Sequence, residues 1–193
     1  MRAKAILNRS YPLKSAEDLL VRTERTLLFC FALATVLAAG DKALRAGIPD
    51  YQPVVGWPTV PASLKLGPVS AVATDSAARV YVLQRAEPPI LVFDRAGTFL
   101  RSWGDGLVKN PHGLRIDGDD HVWVTDTARH VVMKFDAAGK LLLSLGKKDQ
   151  PGDGPARFNK PTDIAVNASG EVYVSDGYGN ARVVTFSDRK SVV

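Results

Sequence analysis

The chain has 193 residues and a mass of 20.8 kDa, which fits one domain, or one domain behind a leader. Hydrophobic residues make up 46% and charged residues 23%, enough to build a core and too apolar for disorder as the main state. The net charge of +5 sits largely in residues 1–40, which hold six Lys/Arg and three Asp/Glu; the remainder, with 19 basic and 17 acidic residues, is nearly neutral and gives no case for nucleic-acid binding. The single cysteine, Cys30, excludes an internal disulfide framework and a cysteine-based zinc finger.

Residues 26–40, TLLFCFALATVLAAG, are uncharged, with Arg22 and Arg25 before them and Asp41 after. The run is short for a spanning helix, which needs ~20 apolar residues. A basic flank, an apolar run and small residues at Ala38 and Gly40 read as a secretory signal cut before Asp41. A retained membrane anchor at 26–40 is the alternative, because 25 residues in front are many for a signal. A buried helix of the domain ranks third. Residues 1–40 are therefore expected to export the protein, as a secreted or periplasmic domain or as an exported domain on an anchor. Residues 41–66 contain Pro49, Pro53, Pro58 and Pro61 and read as an extended linker along the domain surface.

From Gly67 the chain repeats. Val69–Asp75 is followed by Val80-Tyr81-Val82, Pro111–Asp117 by Val122-Trp123-Val124, and Pro161–Asn167 by Val172-Tyr173-Val174. The equivalent residues Ser70, His112 and Thr162 are 42 and 50 positions apart. Each unit pairs an apolar strand with a second strand that carries an aromatic between valines. Ile90–Asp94 with Thr98–Ser102, and Val131–Phe135 with Lys140–Ser144, read as outer hairpins over Arg95-Ala96-Gly97 and Ala137-Ala138-Gly139. Four short strands per ~40–50 residues mark a β-propeller blade. The predicted fold is all-β, with residues 67–193 a partial propeller of two full blades and the first half of a third. A propeller closes with at least ~4 blades, so this reads as a truncated propeller, a piece of a longer product, or an arc covered by a partner.

Within a blade the second strand runs antiparallel to the first. The residue before strand one and the residue after strand two then share one end of the propeller. This brings His112, Arg85 and Tyr178 to one channel mouth, a candidate site. By pattern alone, His112 also reads as a polar residue at a strand start. His121 reads as a solvated turn residue and His130 as a hydrogen-bonding residue between blades. Asp126 and Asp176 read as turn acceptors, and Trp103 and Trp123 as packing residues.

Phe158–Val166 with Val172–Arg182, and Pro111-His112-Gly113-Leu114-Arg115-Ile116-Asp117 with Val124-Thr125-Asp126, resemble peptidyl-α-hydroxyglycine α-amidating lyases and their bacterial relatives among the six-bladed NHL-repeat propellers. The resemblance covers roughly residues 67–187. It implies cleavage of the N–Cα bond of a C-terminal α-hydroxyglycine in a peptide or small substrate, giving an amide and glyoxylate. It implies Tyr178 as catalytic base, Arg85 as an active-site arginine, His112 as one of several zinc histidines, and a calcium on the backbone carbonyls of Val72 and Leu114. The chemistry is coherent: zinc acidifies a bound hydroxyl, cations favour a phenolate, and arginine grips a carboxylate. The other zinc histidines and a calcium aspartate would lie beyond Val193; Ser70 and Thr162 do not replace them. Asn159 and Gly179 stand where animal members carry a disulfide pair, and Ala86 where a glycine is usual. This chain alone is thus expected to have little or no lyase activity. The alternatives are a non-catalytic NHL-repeat module binding a ligand or protein, and a degraded remnant without activity.

Overall fold

The computed structural model describes residues 51–187. Residues 1–50, with the leader and the first part of the linker, lie outside the described residues, as do 188–193. Eleven strands form three antiparallel sheets. The first blade holds β1 (Val69–Thr74), β2 (Val80–Gln84), β3 (Ile90–Phe93) and β4 (Phe99–Trp103) in that order. The second holds β5 (Pro111–Ile116), β6 (Val122–Asp126), β7 (Val131–Phe135) and β8 (Leu141–Gly146). The third holds β9 (Asp163–Val166), β10 (Val172–Asp176) and β11 (Arg182–Phe186). The third blade therefore has three strands in the described residues, one more than the half expected. The described residues contain no helix.

Polar residues at the strand ends set the turns. The Asp75 Oδ1 accepts from the Ala77 and Arg79 N–H groups at 3.1 and 2.9 Å. Asp117 does the same for Asp119 and His121, and Asn167 for Ser169 and Glu171. In the outer hairpins Asp94 accepts from Thr98, and Asp136 from Ala138 and Lys140. A short acceptor two to four residues ahead of the N–H it binds is the Asx-turn logic.

The blades pack through alternate residues of their middle strands, since a strand sends successive side chains to opposite faces. Tyr81, Leu83, Ile90 and Val92 of the first blade meet Leu114, Val122, Val124 and Met133 of the second. Trp123 and Val132, on the other face of the second, meet Phe158, Ile164, Val172 and Val174 of the third. Each fully buried Leu, Ile, Val or Phe contributes roughly 1.5–3 kcal/mol. The first strands β1, β5 and β9 lie side by side across the three blades.

The end of the predicted linker is part of this packing. Val60 and Leu64 cover Val82, Leu91 and Phe93, the face of the first blade turned away from the second. The Trp57 ring lies 6.2 Å from that of Phe93, and the Thr59 N–H donates to the Gly97 carbonyl at 2.9 Å.

Candidate functional site

One buried polar residue at the end of each second strand ties down the chain before the first strand and after the second. Asp126 is fully buried and accepts from the N–H groups of Lys109 (2.6 Å), Asn110 (3.2 Å), Ala128 (2.9 Å) and Arg129 (2.9 Å). Asp176, also fully buried, accepts from the Asn159 N–H at 2.8 Å and from Asn180 and Arg182. In the first blade Gln84 takes this place: its Oε1 accepts from the Gly67 N–H, and its Nε2 donates to the Pro88 carbonyl. These residues hold the loops that carry Arg85 and Tyr178 and the segment that leads into His112 on β5.

Two of the three expected residues meet. The His112 Nε2 lies 2.9 Å from the Tyr178 Oη, and the two rings pack edge to face at 5.1 Å. The His112 Nδ1 lies 2.8 Å from the Thr162 carbonyl oxygen. A carbonyl only accepts, so Nδ1 carries the proton and the Nε2 lone pair takes the Tyr178 hydroxyl. The Thr162 carbonyl is itself fixed by Thr125, which is fully buried. The Thr125 Oγ1 donates to that carbonyl at 3.0 Å and accepts from the Gly113 N–H at 2.7 Å. Gly113 has to be glycine: a Cβ there would stand 2.7 Å from the Thr162 oxygen and 2.9 Å from the Asp163 Oδ1. The missing side chain lets β5 and β9 approach closely enough for His112 to reach the third blade.

Arg85 is not in that contact. It is exposed, and its Nε donates to the Pro111 carbonyl at 3.3 Å, one residue before His112. Val72, with Ser70, His112, Thr162, Arg115 and Asp163, lines an open cleft of about 350 Å³ on the first strands. The Leu114 side chain is buried in the core between the blades, and its carbonyl accepts from the Arg115 Nη1 at 2.8 Å. The Arg115 Nη2 reaches the Asp163 carboxylate at 2.6 Å. Reading by repeat equivalence misses Arg115 and Asp163, since their pairing depends on how two blades pack. Their opposite charges on aligned first strands are the available signal.

The other histidines are structural. His121 is half-buried rather than solvated, because its Nδ1 lies 3.1 Å from the Asp117 carboxylate. Asp117, Asp119 and His121 form a cluster of potential metal ligands, but Asp117 is already engaged by the Trp123 Nε1 at 2.9 Å and the Lys134 ammonium at 3.3 Å. Burial pushes the Asp117 carboxyl upward, and the hydrogen bonds from Trp123 and the His121 backbone, with the Lys134 charge, overcome this and hold it below the usual carboxylate range. The His130 Nδ1 accepts from the Lys160 N–H at 3.1 Å, between the second and third blades. Trp103 packs on Phe135 at 4.9 Å and Trp123 is buried. Asn159 and Gly179 adjoin, the Gly179 N–H donating to the Asn159 carbonyl at 2.9 Å.

A zinc ligand needs an unprotonated ring nitrogen with the other held by an acceptor, and His112 meets that condition. A catalytic zinc usually takes three protein ligands. Among the described residues, the potential metal-ligand cluster of three or more does not include His112. Of the side chains expected around a zinc, His112 alone falls among the described residues, and no cluster of three potential ligands forms around it there.

The three antiparallel sheets, two of four strands and one of three, make the described residues part of a β-propeller, and the NHL repeat family matches residues 109–135 and 158–186. Within that class the sequence is similar to peptidyl-α-hydroxyglycine α-amidating lyases. It is 35% identical over 165 residues to amidating lyase 1 of Drosophila melanogaster, covering 71% of this chain and 30% of that protein. It is 50% identical over 105 residues to the peptidylglycine alpha-amidating monooxygenase of Rattus norvegicus, covering 52% of this chain and 11% of that protein. NHL repeat-containing protein 3 of Mus musculus is 34% identical over 173 residues, covering 82% and 49%. These matches span less than half the length of each relative. A solved structure of a Bacteroides thetaiotaomicron protein of unknown function aligns with a TM-score of 0.50 at 21% identity, over 62% of this chain and 33% of that one.

Proposed function

We propose that these blades are part of an amidating-lyase-type propeller that cleaves the N–Cα bond of a peptidyl-α-hydroxyglycine. The observation behind the reading is the His112–Tyr178 hydrogen bond at the mouth of the cleft. Tyr178 acts as its phenolate and takes the proton of the substrate α-hydroxyl. As the oxygen lone pair closes the new C=O bond, the C–N bond breaks and its pair goes to nitrogen. That nitrogen takes the proton from Tyr178, which restores the phenolate and gives a peptide amide and glyoxylate with no change of oxidation state. Arg85, with its terminal N–H groups beyond the Pro111 contact, suits the substrate carboxylate.

Zinc enters the proposal as a second occupant of the His112 Nε2 lone pair, with its other ligands from outside residues 51–187. Bound there, it would supply Lewis acidity toward the hydroxyl. One lone pair serves one partner, so zinc and the Tyr178 hydroxyl compete for it. Tyr178 is 65% exposed and has room to move.

The second reading is a binding module without turnover, favoured by His112 lying outside the potential metal-ligand cluster of the described residues and by the similarity to a relative named only for its repeats. The decisive assay is glyoxylate release from a peptidyl-α-hydroxyglycine, run on the 193-residue chain and on a form extended to six blades. The expected result is little turnover by the short chain and zinc-dependent turnover by the long one. In the long form Tyr178→Phe should lower the rate by ~10²–10⁴-fold and leave zinc bound, whereas His112→Ala should lower zinc content. Full rate in the Tyr178→Phe enzyme removes Tyr178 from the chemistry. An extended form that binds the substrate without releasing glyoxylate selects the binding module.

A further inference from the structure

Calcium on the carbonyls of Val72 and Leu114 is what the resemblance implies, and the surroundings of Leu114 do not fit it. Calcium gathers six to eight oxygen ligands from carboxylates, carbonyls and waters. Here the Leu114 carbonyl accepts from the Arg115 Nη1 at 2.8 Å, and the nearest carboxylate on the neighbouring first strand, Asp163, gives its Oδ2 to the Nη2 of the same guanidinium at 2.6 Å while its Oδ1 is buried without a hydrogen-bond partner. Arg115 and Asp163 line the same cleft as Val72. An incoming divalent cation would have to displace a fixed positive charge from two of its oxygens and then remain beside it.

We propose that the Arg115 guanidinium is the resident cation of this cleft and keeps calcium out of it. Arginine suits the place because its planar fork reaches two acceptors at once and its charge is permanent. The pair also ties β5 to β9, so the link a metal would make between blades is made by the chain itself. The inference concerns ion binding and stands apart from the lyase reading: loss of glyoxylate release would leave it intact.

The test is equilibrium dialysis of the full 193-residue chain against ~1 mM calcium, within the range of weak carboxylate–carbonyl sites, alongside thermal melts in calcium and in chelator. The wild-type chain should take up no calcium, and its melting temperature should be the same in both buffers. Arg115→Gln removes the charge at a side chain that is 47% exposed, so the fold is expected to survive. This variant should take up about one calcium per chain, and calcium should raise its melting temperature by a few degrees. Adding Asp163→Asn to Arg115→Gln should abolish that uptake. Arg115→Lys keeps the charge and should exclude calcium as the wild type does. Stoichiometric uptake by the wild type overturns the proposal whatever the variants do. So does a folded Arg115→Gln chain that takes up none, or uptake that persists without Asp163.

Discussion

Thr125→Val tests the link between core and site. The change is nearly isosteric and swaps a hydroxyl for a methyl at a fully buried position. Two hydrogen bonds go: the one from the Gly113 N–H at 2.7 Å and the one to the Thr162 carbonyl at 3.0 Å. The carbonyl keeps the His112 Nδ1 as a donor, so its loss is partial. The Gly113 N–H is left buried without a partner, which costs about 1–3 kcal/mol. The expected destabilisation is ~2 kcal/mol, or a drop in melting temperature of about 4–8 °C for a chain of this size. Thr125→Ser keeps both hydrogen bonds and gives up one methyl, so it should lose about 1 kcal/mol or less. Urea unfolding followed by tryptophan fluorescence reads both variants. A Thr125→Val chain within ~0.5 kcal/mol of wild type, at unchanged denaturant slope, would refute the reasoning and leave Thr125 as packing alone.

The Gly139→Ala variant should lose about 2–4 kcal/mol, because φ is +94° and the new Cβ would stand 2.7 Å from the Trp103 ring; thermal melts measure it. Asp117, held below the ordinary carboxylate range, contributes stability that is present above about pH 4 and is lost as pH falls through its folded value. Asp117→Asn should therefore flatten the acid limb of a stability-against-pH curve, and an acid limb as steep as that of the wild type would count against this.

Much of the fold is legible because the repeat is short-range. A first strand, an Asp or Asn turn and a valine-flanked aromatic recur within about twenty residues, and the periodicity needs no knowledge of packing. Strand direction alone puts His112 and Tyr178 at one end. Their contact is another matter, since it joins residues 66 apart across two blades and depends on Gly113 being small enough for β5 to near β9. Arg85 shares that end but points its Nε at a neighbour's backbone. The Arg115–Asp163 pair depends on blade packing for the same reason, and only the opposite charges on two first strands hint at it. His121 looks like a solvated turn residue until the fold of the turn brings the Asp117 carboxylate to its Nδ1. Gln84 hides its kinship with Asp126 and Asp176 because an amide and a carboxylate share only the accepting oxygen. Residues 57–64 carry no strand alternation, and Trp57, Val60 and Leu64 reveal their apolar role only against the first blade.

That last docking gives the array a direction in time. Synthesis runs from the N-terminus, so Trp57, Val60 and Leu64 exist before the strands they cover. The first blade can bury Val82, Leu91 and Phe93 against chain already made, and its other face waits for the second blade. The second closes one face on the first and offers Trp123 and Val132 to the third. Every step needs only the preceding neighbour, and each loop to be closed is a few tens of residues long, which keeps the entropy of closure low. A nascent chain of this kind hides its apolar surface in the order in which it leaves the ribosome, with one open face at a time.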